Sequence, residues 1–565
     1  MHPPFSDKER TQASKPVLLF AMTFYSEPVV GDSFFAREEV LKTLLKSADD
    51  IKHGYRHNIA VIGRGLIGKS SLLLHFLGII KDQNRLLPIY INLKGLSFTE
   101  FVDNVINALL YHSLKKVRRL RKSDDSNYLT NCARKVFPKT SDLIKRIRAQ
   151  VDDGHFNDAY SDLLDLCTVI NSESGNLPVF VLDEFDLMSS FPVKRPFQIL
   201  GQKIMVQQNT LFILSSSSTL TARKVLSEKL SLLFGGFELI DIGPFSISQA
   251  QAYIKQQSRH ITISDELKEF ILSFTGAHPF YLSSIMGKLK LTKRYGTERI
   301  SSKFLSMAIA ELLFDHSGAI NQFFSHLLEG MRRHIRGTEI FDVLKLFLET
   351  QRASSIIKNY NISSVQLNNL LNNLQEVGVL SKSGALYALT DSLFRLWVEV
   401  RSRPRNLCFD FMPKEDAVDY VREVEERISS FKSARKRRFD DKIADLVSSF
   451  RNDQFFIDER VRLLPHLSYI RQERLDHDNV LITASGKRRW LFVVSAGKVT
   501  EELIFEMLER FKARKYSNAK VVLIAAADID GTATLLAKQK RLWVWNRGDL
   551  NRLFQFYKGY SEVIA

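Results

Sequence analysis

Cysteine is nearly absent, with three in 565 residues, Cys132, Cys167 and Cys408. The odd count and the lack of metal-ligand spacing argue against a disulfide framework and against a cysteine-built metal site. There is no run of about 18 uninterrupted apolar residues, so no segment is long enough to cross a bilayer as a helix. The opening residues, Met1 to Arg10, lack the apolar core of a secretory signal, and a cytoplasmic location without a membrane partner is the expectation. Negative charge is in short supply: 63 Asp and Glu stand against 80 Lys and Arg, a formal net charge of +17. Such an excess raises affinity for polyanions through counterion release, unless it is merely spread over a solvated surface. The hydrophobic share of 45% and charged share of 25% exclude disordered and fibrous classes. The length allows about three or four domains, each able to bury a core.

The most informative stretch is Gly63-Arg64-Gly65-Leu66-Ile67-Gly68-Lys69-Ser70-Ser71, of the form G-x-x-x-x-G-K-S. It lies between an apolar run, Asn58 to Ile62, that reads as a strand and a helical pattern from Leu72 to Ile80. A triphosphate needs backbone N–H groups from residues with little side chain, at a helix N-terminus whose dipole favours anions. Gly63, Gly65 and Gly68 permit that approach, with Arg64, Leu66, Ile67 and Ser71 completing the cradle. Lys69 reaches for the β- and γ-phosphates and the Ser70 hydroxyl for Mg²⁺. ATP and Mg²⁺ are therefore the expected cofactors.

A second motif supports the first. Leu177 to Leu182 reads as a buried parallel strand, with Asp183 and Glu184 at its carboxyl end, where ligands sit in open α/β sheets. Asp183 is expected to hold the Mg²⁺ shell, and Glu184 to orient and deprotonate the attacking water. A third apolar strand, Thr210 to Leu214, ends in the serine run 215–218. Ser215 is the candidate there to reach the γ-phosphate or the water, although serines at that place also cap loops. Strand 237–242 closes this unit, and helices dominate behind it. The segment Phe35-Ala36-Arg37, ahead of the first strand, either lines a base pocket or packs on the core.

These motifs together resemble the archaeal-type ATPases, a family in the STAND branch of the AAA+ P-loop NTPases that is similar to origin-recognition ATPases. The resemblance rests on Phe-x-Arg-Glu-Glu at 35–39, the glycine-rich loop, Val-Leu-Asp-Glu-Phe, Gly-Pro-Phe-Ser and Thr-Gly-Ala-His-Pro-Phe-Tyr-Leu282. It covers about residues 22–400. It implies that Phe35 and Arg37 flank the adenine and that Pro279 closes over the base. Two positions depart from the family pattern. Ala36 replaces a usual glycine, and Gly236 stands where the family keeps an arginine, which implies slow or partner-dependent hydrolysis.

The expected architecture is α/β: an N-terminal tail (1–20), a P-loop parallel-sheet core (21–242), a helical lid (243–335), a winged helix (336–401), a basic helical linker (402–439) and a small α/β domain (440–565). In the winged helix, Gln366, Asn369 and Asn373 of the third helix are the candidate DNA readers and the turn at Ser383-Gly384 is the wing. No Arg or Lys lies between 359 and 381, however, which favours a module that packs on the ATPase or on a partner. The last domain looks like the restriction-endonuclease fold. Asp476 or Asp478 stands for its first acid, but Ser495 occupies the place of the second and Lys498 comes one residue late, so a nuclease relic is expected. Candidate nucleic-acid contacts are Lys115, Lys116, Arg118 and Arg119, the run Arg435-Lys436-Arg437-Arg438, and Lys512, Arg514 and Lys515. The favoured function is an ATP-driven conformational switch acting with nucleic acid, with a protein partner or self-assembly. A DNA scaffold or loader, and an ATP-gated Mg²⁺ nuclease, are the alternatives.

Overall fold

A computed structural model describes residues 27–83, 85–117, 125–230, 237–291, 299–332, 340–349, 351–360, 363–403, 414–457, 460–511, 519–526 and 529–558. The tail 1–20, Arg118, Arg119, Gly236, Cys408, Lys512, Arg514 and Lys515 lie outside them.

Five strands, β1 (Asn58–Gly63), β2 (Leu86–Asn92), β3 (Leu177–Asp183), β4 (Leu211–Ser216) and β5 (Phe237–Ile242), form a parallel sheet in the order β2-β3-β4-β1-β5. The strands β1, β3 and β4 are buried along their whole length, because helices cover both faces. One face carries Ile59, Val61, Val179 and Ile213 against Leu72, Leu73 and Phe76 of the helix Lys69–Ile80. The other carries Ile62, Phe180 and Phe212 against Phe101, Ile106 and Leu163. Placing β1 between β4 and β5 brings the carboxyl ends of β1, β3 and β4 to one edge, where both sequence motifs lie. Between β2 and β3 the helix Phe98–Lys115 is followed by three more, Ser126–Val136, Pro138–Asp152 and Phe156–Ser174, which were not foreseen from the sequence. They bury Leu129, Ile144, Ile147 and Leu163 in the same core.

The helices Ile247–Gln257, Asp265–Thr275, Pro279–Leu291, Ser302–Phe314 and Ala319–Arg332 follow, with one short parallel pair, β6 (Thr262–Ile263) and β7 (Arg299–Ile300). Next come helices Ile340–Leu346, Ala353–Tyr360 and Ser364–Val377 and the hairpin β9 (Leu380–Ser383) and β10 (Leu386–Leu389), whose outer neighbour is β8 (Gln351–Arg352). The lid and this module share one hydrophobic core, in which Phe324 of the lid meets Phe394 and Trp397 edge-on or tilted at 5.0 and 5.5 Å. The expected linker is no spacer. Its helix Lys414–Lys436 lies in that same core, Tyr420 stacking on Phe314 at 4.7 Å and Phe431 meeting Phe270 at 5.6 Å.

The last unit opens with helix Phe439–Ser448 and an antiparallel hairpin, β11 (Asp453–Ile457) and β12 (Arg460–Leu464). Its mixed sheet contains β13 (Ser468–Arg474), β14 (Asn479–Ser485), β15 (Arg489–Ser495), β16 (Lys520–Ala525) and β17 (Trp543–Trp545), in chain order. The first three strands are antiparallel and β15, β16 and β17 run parallel. Strands β11 to β13 were not foreseen. The turn expected to act as a wing touches this unit on one side, with Gly384 and Ala385 left exposed: Ser383 Oγ donates to the Gln454 carbonyl at 2.7 Å, and Leu386 and Ala388 belong to the core of the C-terminal unit.

Candidate functional site

The loop after β1 turns inward because Gly63 has no side chain: a Cβ there would overlap the Ile242 carbonyl at the end of β5. Gly68, at φ +101°, caps the helix Lys69–Ile80 in a left-handed conformation that an L side chain resists. The free N–H groups of that helix N-terminus therefore face the sheet edge.

Lys69 is 3% exposed. Its Nζ donates to the Gly63 carbonyl (2.9 Å), the Arg64 carbonyl (3.0 Å) and Ser217 Oγ (2.8 Å). Burial lowers its pKa, opposed by the charges of Glu184, Asp183 and Asp186. Asp183 is fully buried and accepts from Ser70 Oγ at 2.6 Å and from Tyr90 Oη at 2.7 Å through one carboxylate oxygen. Burial beside Asp183 pushes the Tyr90 hydroxyl well above its ordinary value, so it stays a donor. Glu184 sits at φ +57°, the left-handed region, and accepts from Ser217 N at 2.8 Å and from the Ser217 hydroxyl. Asp186 accepts from Ser216 Oγ at 2.5 Å.

The structure thus brings Lys69, Ser70, Asp183 and Glu184 together at one edge. The serine that reaches two of them is Ser217, two residues beyond the expected Ser215. Ser215 lies inside β4, opposite Asp183 in register, and its buried hydroxyl has no partner among the described residues. Ser217, just past the strand, bridges Lys69 and Glu184. Alternation predicts that 215 and 217 share a face but not which of them clears the sheet. Tyr90 was also missed, since nothing in Leu-Leu-Pro-Ile-Tyr-Ile-Asn marks one hydroxyl as facing a carboxylate.

The expected base-flanking residues surround one aromatic group. Phe35 meets Phe245 at 5.8 Å and Tyr253 at 5.2 Å, both edge-on, and the Arg37 guanidinium lies 5.0 Å from the Phe245 ring. Arg37 also donates to the Gly243 carbonyl at 2.5 Å and the Ile67 carbonyl at 3.4 Å, tying the pre-strand segment to loop and lid. Ser71 Oγ accepts from Val29 N at 2.9 Å. Pro279 begins its helix directly after His278, whose buried ring lies close to the Gly65 backbone. The lid therefore touches the loop through the residue before the expected one.

An all-oxygen pair, the Ser70 hydroxyl and the Asp183 carboxylate, suits a hard cation such as Mg²⁺. Glycine-lined backbone and a buried lysine suit the phosphates of a nucleotide.

No family model matches the chain, and no curated protein matches it. Among solved structures it is similar to a Walker-type ATPase of Pyrococcus abyssi, at 16% identity over 66% of this chain and 98% of that one, with a TM-score of 0.42. It is similar to the ORC2 protein of Aeropyrum pernix, solved as ADPNP–ADP complexes, at 12% identity over 72% and 98%, with a TM-score of 0.40. A third likeness is to the ORC1 protein of Aeropyrum pernix in complex with DNA, at 14% identity over 68% and 94%, with a TM-score of 0.39. Scores this low add no argument about activity, and the roles of the residues rest on this chain's own geometry.

Of the six expected nucleic-acid contacts among the described residues, four make contacts within the chain while staying exposed. Lys116 Nζ donates to the carbonyls of Gln83 (3.1 Å) and Leu86 (2.5 Å), which ties it to the start of β2. Arg435 pairs with Glu269 (2.8 Å), Arg437 with Asp445 (2.7 Å) and Arg438 with Asp440 (2.9 Å). The run 435–438 is thus a joint between lid, long helix and last unit. Lys115 and Lys436 are exposed. In the last unit Asp476 accepts from the backbone N–H groups of Asp478 and Asn479, each at 2.8 Å, which makes it a turn-forming residue. Asp478 faces Gly497 rather than a second acid, and among the described residues no group of three or more His, Cys, Asp or Glu is set to hold an ion. No described helix is long and apolar enough to cross a membrane.

Proposed function

We propose that this chain binds ATP with Mg²⁺ and hydrolyses it slowly, as a conformational switch of the AAA+/STAND type whose partner is nucleic acid, with self-assembly or a protein partner completing the site. The observation that carries this reading is a pair of contacts from the site to the module after the lid. The Arg64 side chain of the glycine-rich loop packs over Gly378, and Thr221, just past β4, donates to Glu376 through its N–H (3.2 Å) and hydroxyl (2.8 Å). Both ends of the phosphate site thus touch the C-terminal end of one helix, Ser364–Val377. A change in loop or serine-turn geometry is felt directly by that module.

The loop N–H groups and Lys69 bind the phosphates, and Ser70 and Asp183 are the residues to hold the ion. Mg²⁺, when bound, neutralises phosphate charge. Glu184 takes the proton of the attacking water, with Ser217 holding its carboxylate in place. Slow turnover is expected from Gly236, where the resembling family carries an arginine. The module after the lid has the helix and hairpin order of a winged helix; with its hairpin packed on the last unit, its role is to couple the ATPase to that unit.

Nucleotide affinity and turnover of the wild type, Lys69→Ala and Glu184→Gln test the proposal. Lys69→Ala is expected to lose nucleotide, and Glu184→Gln to keep it while slowing turnover by about 100-fold or more. Equal turnover in the three proteins rejects hydrolysis at this site. A scaffold in which ATP only sets assembly is favoured by the net charge of +17, and is distinguished by nucleotide-dependent assembly without turnover.

A further inference from the structure

Three parallel strands of the last sheet begin at the same end, β15 at Arg489, β16 at Lys520 and β17 at Trp543, and the register sets Trp490 beside Lys520 and Val522 beside Trp543. The β14–β15 turn, Gly486-Lys487-Arg488, projects there with all three residues exposed, and Arg489 after it is exposed too. From the separate hairpin, β12 brings Arg462, whose guanidinium lies 4.8 Å from the Trp543 ring. The Lys520 ammonium lies 4.4 Å from the same ring, and Trp490 meets Trp543 edge-on at 5.2 Å.

Cations are crowded here. Burial, then the positive charges of Arg462 and Arg488, lower the Lys520 pKa. Cation–π contact accounts for Arg462 and Lys520. It does not account for Lys487 and Arg488, which make no ion pair among the described residues and stand out from the turn. Like charges held at one place cost free energy that an anion would relieve.

We propose that this end of the C-terminal sheet, formed by Arg462, Lys487, Arg488, Arg489 and Lys520 about Trp543, binds the phosphate backbone of duplex nucleic acid. The proposal rests on the reading of nucleic acid as partner and adds where it binds. Arginine forks match phosphate oxygens in pairs. Trp543 is taken up by two cations and Trp490 is 8% exposed, so neither of these rings offers a free face to a base, and Tyr469, 87% exposed beside the end of β14, stands apart from the cation cluster. Five cations dominate the surface, so affinity follows phosphate density, which is greater on a duplex than on a single strand. The surface lies opposite the nuclease-like acid. Strand β15 spans seven residues from Arg489 to Ser495, which puts Asp478, paired near its far end, about 20 Å away. Duplex held at the turn is therefore held away from Asp478.

The test is fluorescence anisotropy of the full chain with labelled random-sequence duplex and single strand, from about 50 to 200 mM salt. Lys487→Gln/Arg488→Gln/Arg489→Gln is expected to weaken duplex binding by about tenfold or more and to lower the log–log salt slope by about 2 to 3. Arg488→Glu alone is expected to weaken it in the same direction. Nucleotide affinity should be unchanged in both variants, which shows that they are folded. Wild-type binding that the turn variants leave intact overturns this surface while sparing the partner. A wild type that binds neither nucleic acid overturns the partner as well. Tighter binding to single strand, or to vesicles of anionic lipid, than to duplex also overturns the proposal.

Discussion

Ser217 Oγ accepts from Lys69 Nζ at 2.8 Å and donates to the carboxylate of Glu184. One hydroxyl thus joins the lysine of the glycine-rich loop to the acid proposed as general base. Ser217→Ala removes both contacts and leaves backbone N–H donation to Glu184. Turnover is expected to fall by about 10- to 100-fold with nucleotide affinity changed by less than about threefold, since the lost bonds orient the base rather than bind phosphate. Ser215→Ala, at the buried hydroxyl without a partner among the described residues, is expected to leave turnover within about twofold. Steady-state ATPase rates and nucleotide titrations on the two variants distinguish the serines.

Gly378 sits at φ +81° with the Arg64 side chain against it. Gly378→Ala imposes left-handed strain of about 1 to 2 kcal/mol and pushes Arg64 away. Arg64→Ala should relieve the second part only. A double-mutant cycle in urea unfolding is expected to show coupling of about 0.5 kcal/mol or more between the two positions. Additive effects would mean that the loop and the module do not communicate through this contact.

His278 is buried against the loop, and burial followed by the charge of Arg64 lowers its pKa from 6.5 to about 3. The unfolded chain takes up this proton below about pH 6.5, while the folded chain refuses it until about pH 3, so stability falls as the pH drops through that window. His112, lowered to about 4 by burial first and then by Lys115 and Lys116, adds in the same direction. Each contributes at most about 1.4 kcal/mol per pH unit. His278→Gln should remove about half of the loss between pH 6.5 and 4, read from urea midpoints.

Ala36 and Arg37 are consecutive left-handed residues, at φ 61° and 75°. Relief of strain in Ala36→Gly exceeds the added entropy of the unfolded chain, and stabilisation by about 0.5 kcal/mol is expected. A fall in the urea midpoint would show that the alanine methyl, 8% exposed, packs more than it strains.

Much of the site was legible because its chemistry is local in sequence. Gly63 to Ser70 must form one turn and one helix start to cradle phosphate, and Asp183-Glu184 must end a buried strand, so spacing and apolar runs were enough to place Lys69, Ser70, Asp183 and Glu184. The β3 bounds follow from the same pattern, a fully buried parallel strand being a plain apolar run. What sequence alone could not decide was long-range. Strand order put β4 beside β3 and set Ser217, not Ser215, at the free edge. Domain packing spent Arg435, Arg437 and Arg438 on Glu269, Asp445 and Asp440 and set the hairpin at Ser383 against the last unit. The meeting of Arg462, Lys520 and Trp543 joins residues about 80 positions apart on three strands, and no local pattern carries that distance, because only packing against a shared core fixes which strand ends become neighbours.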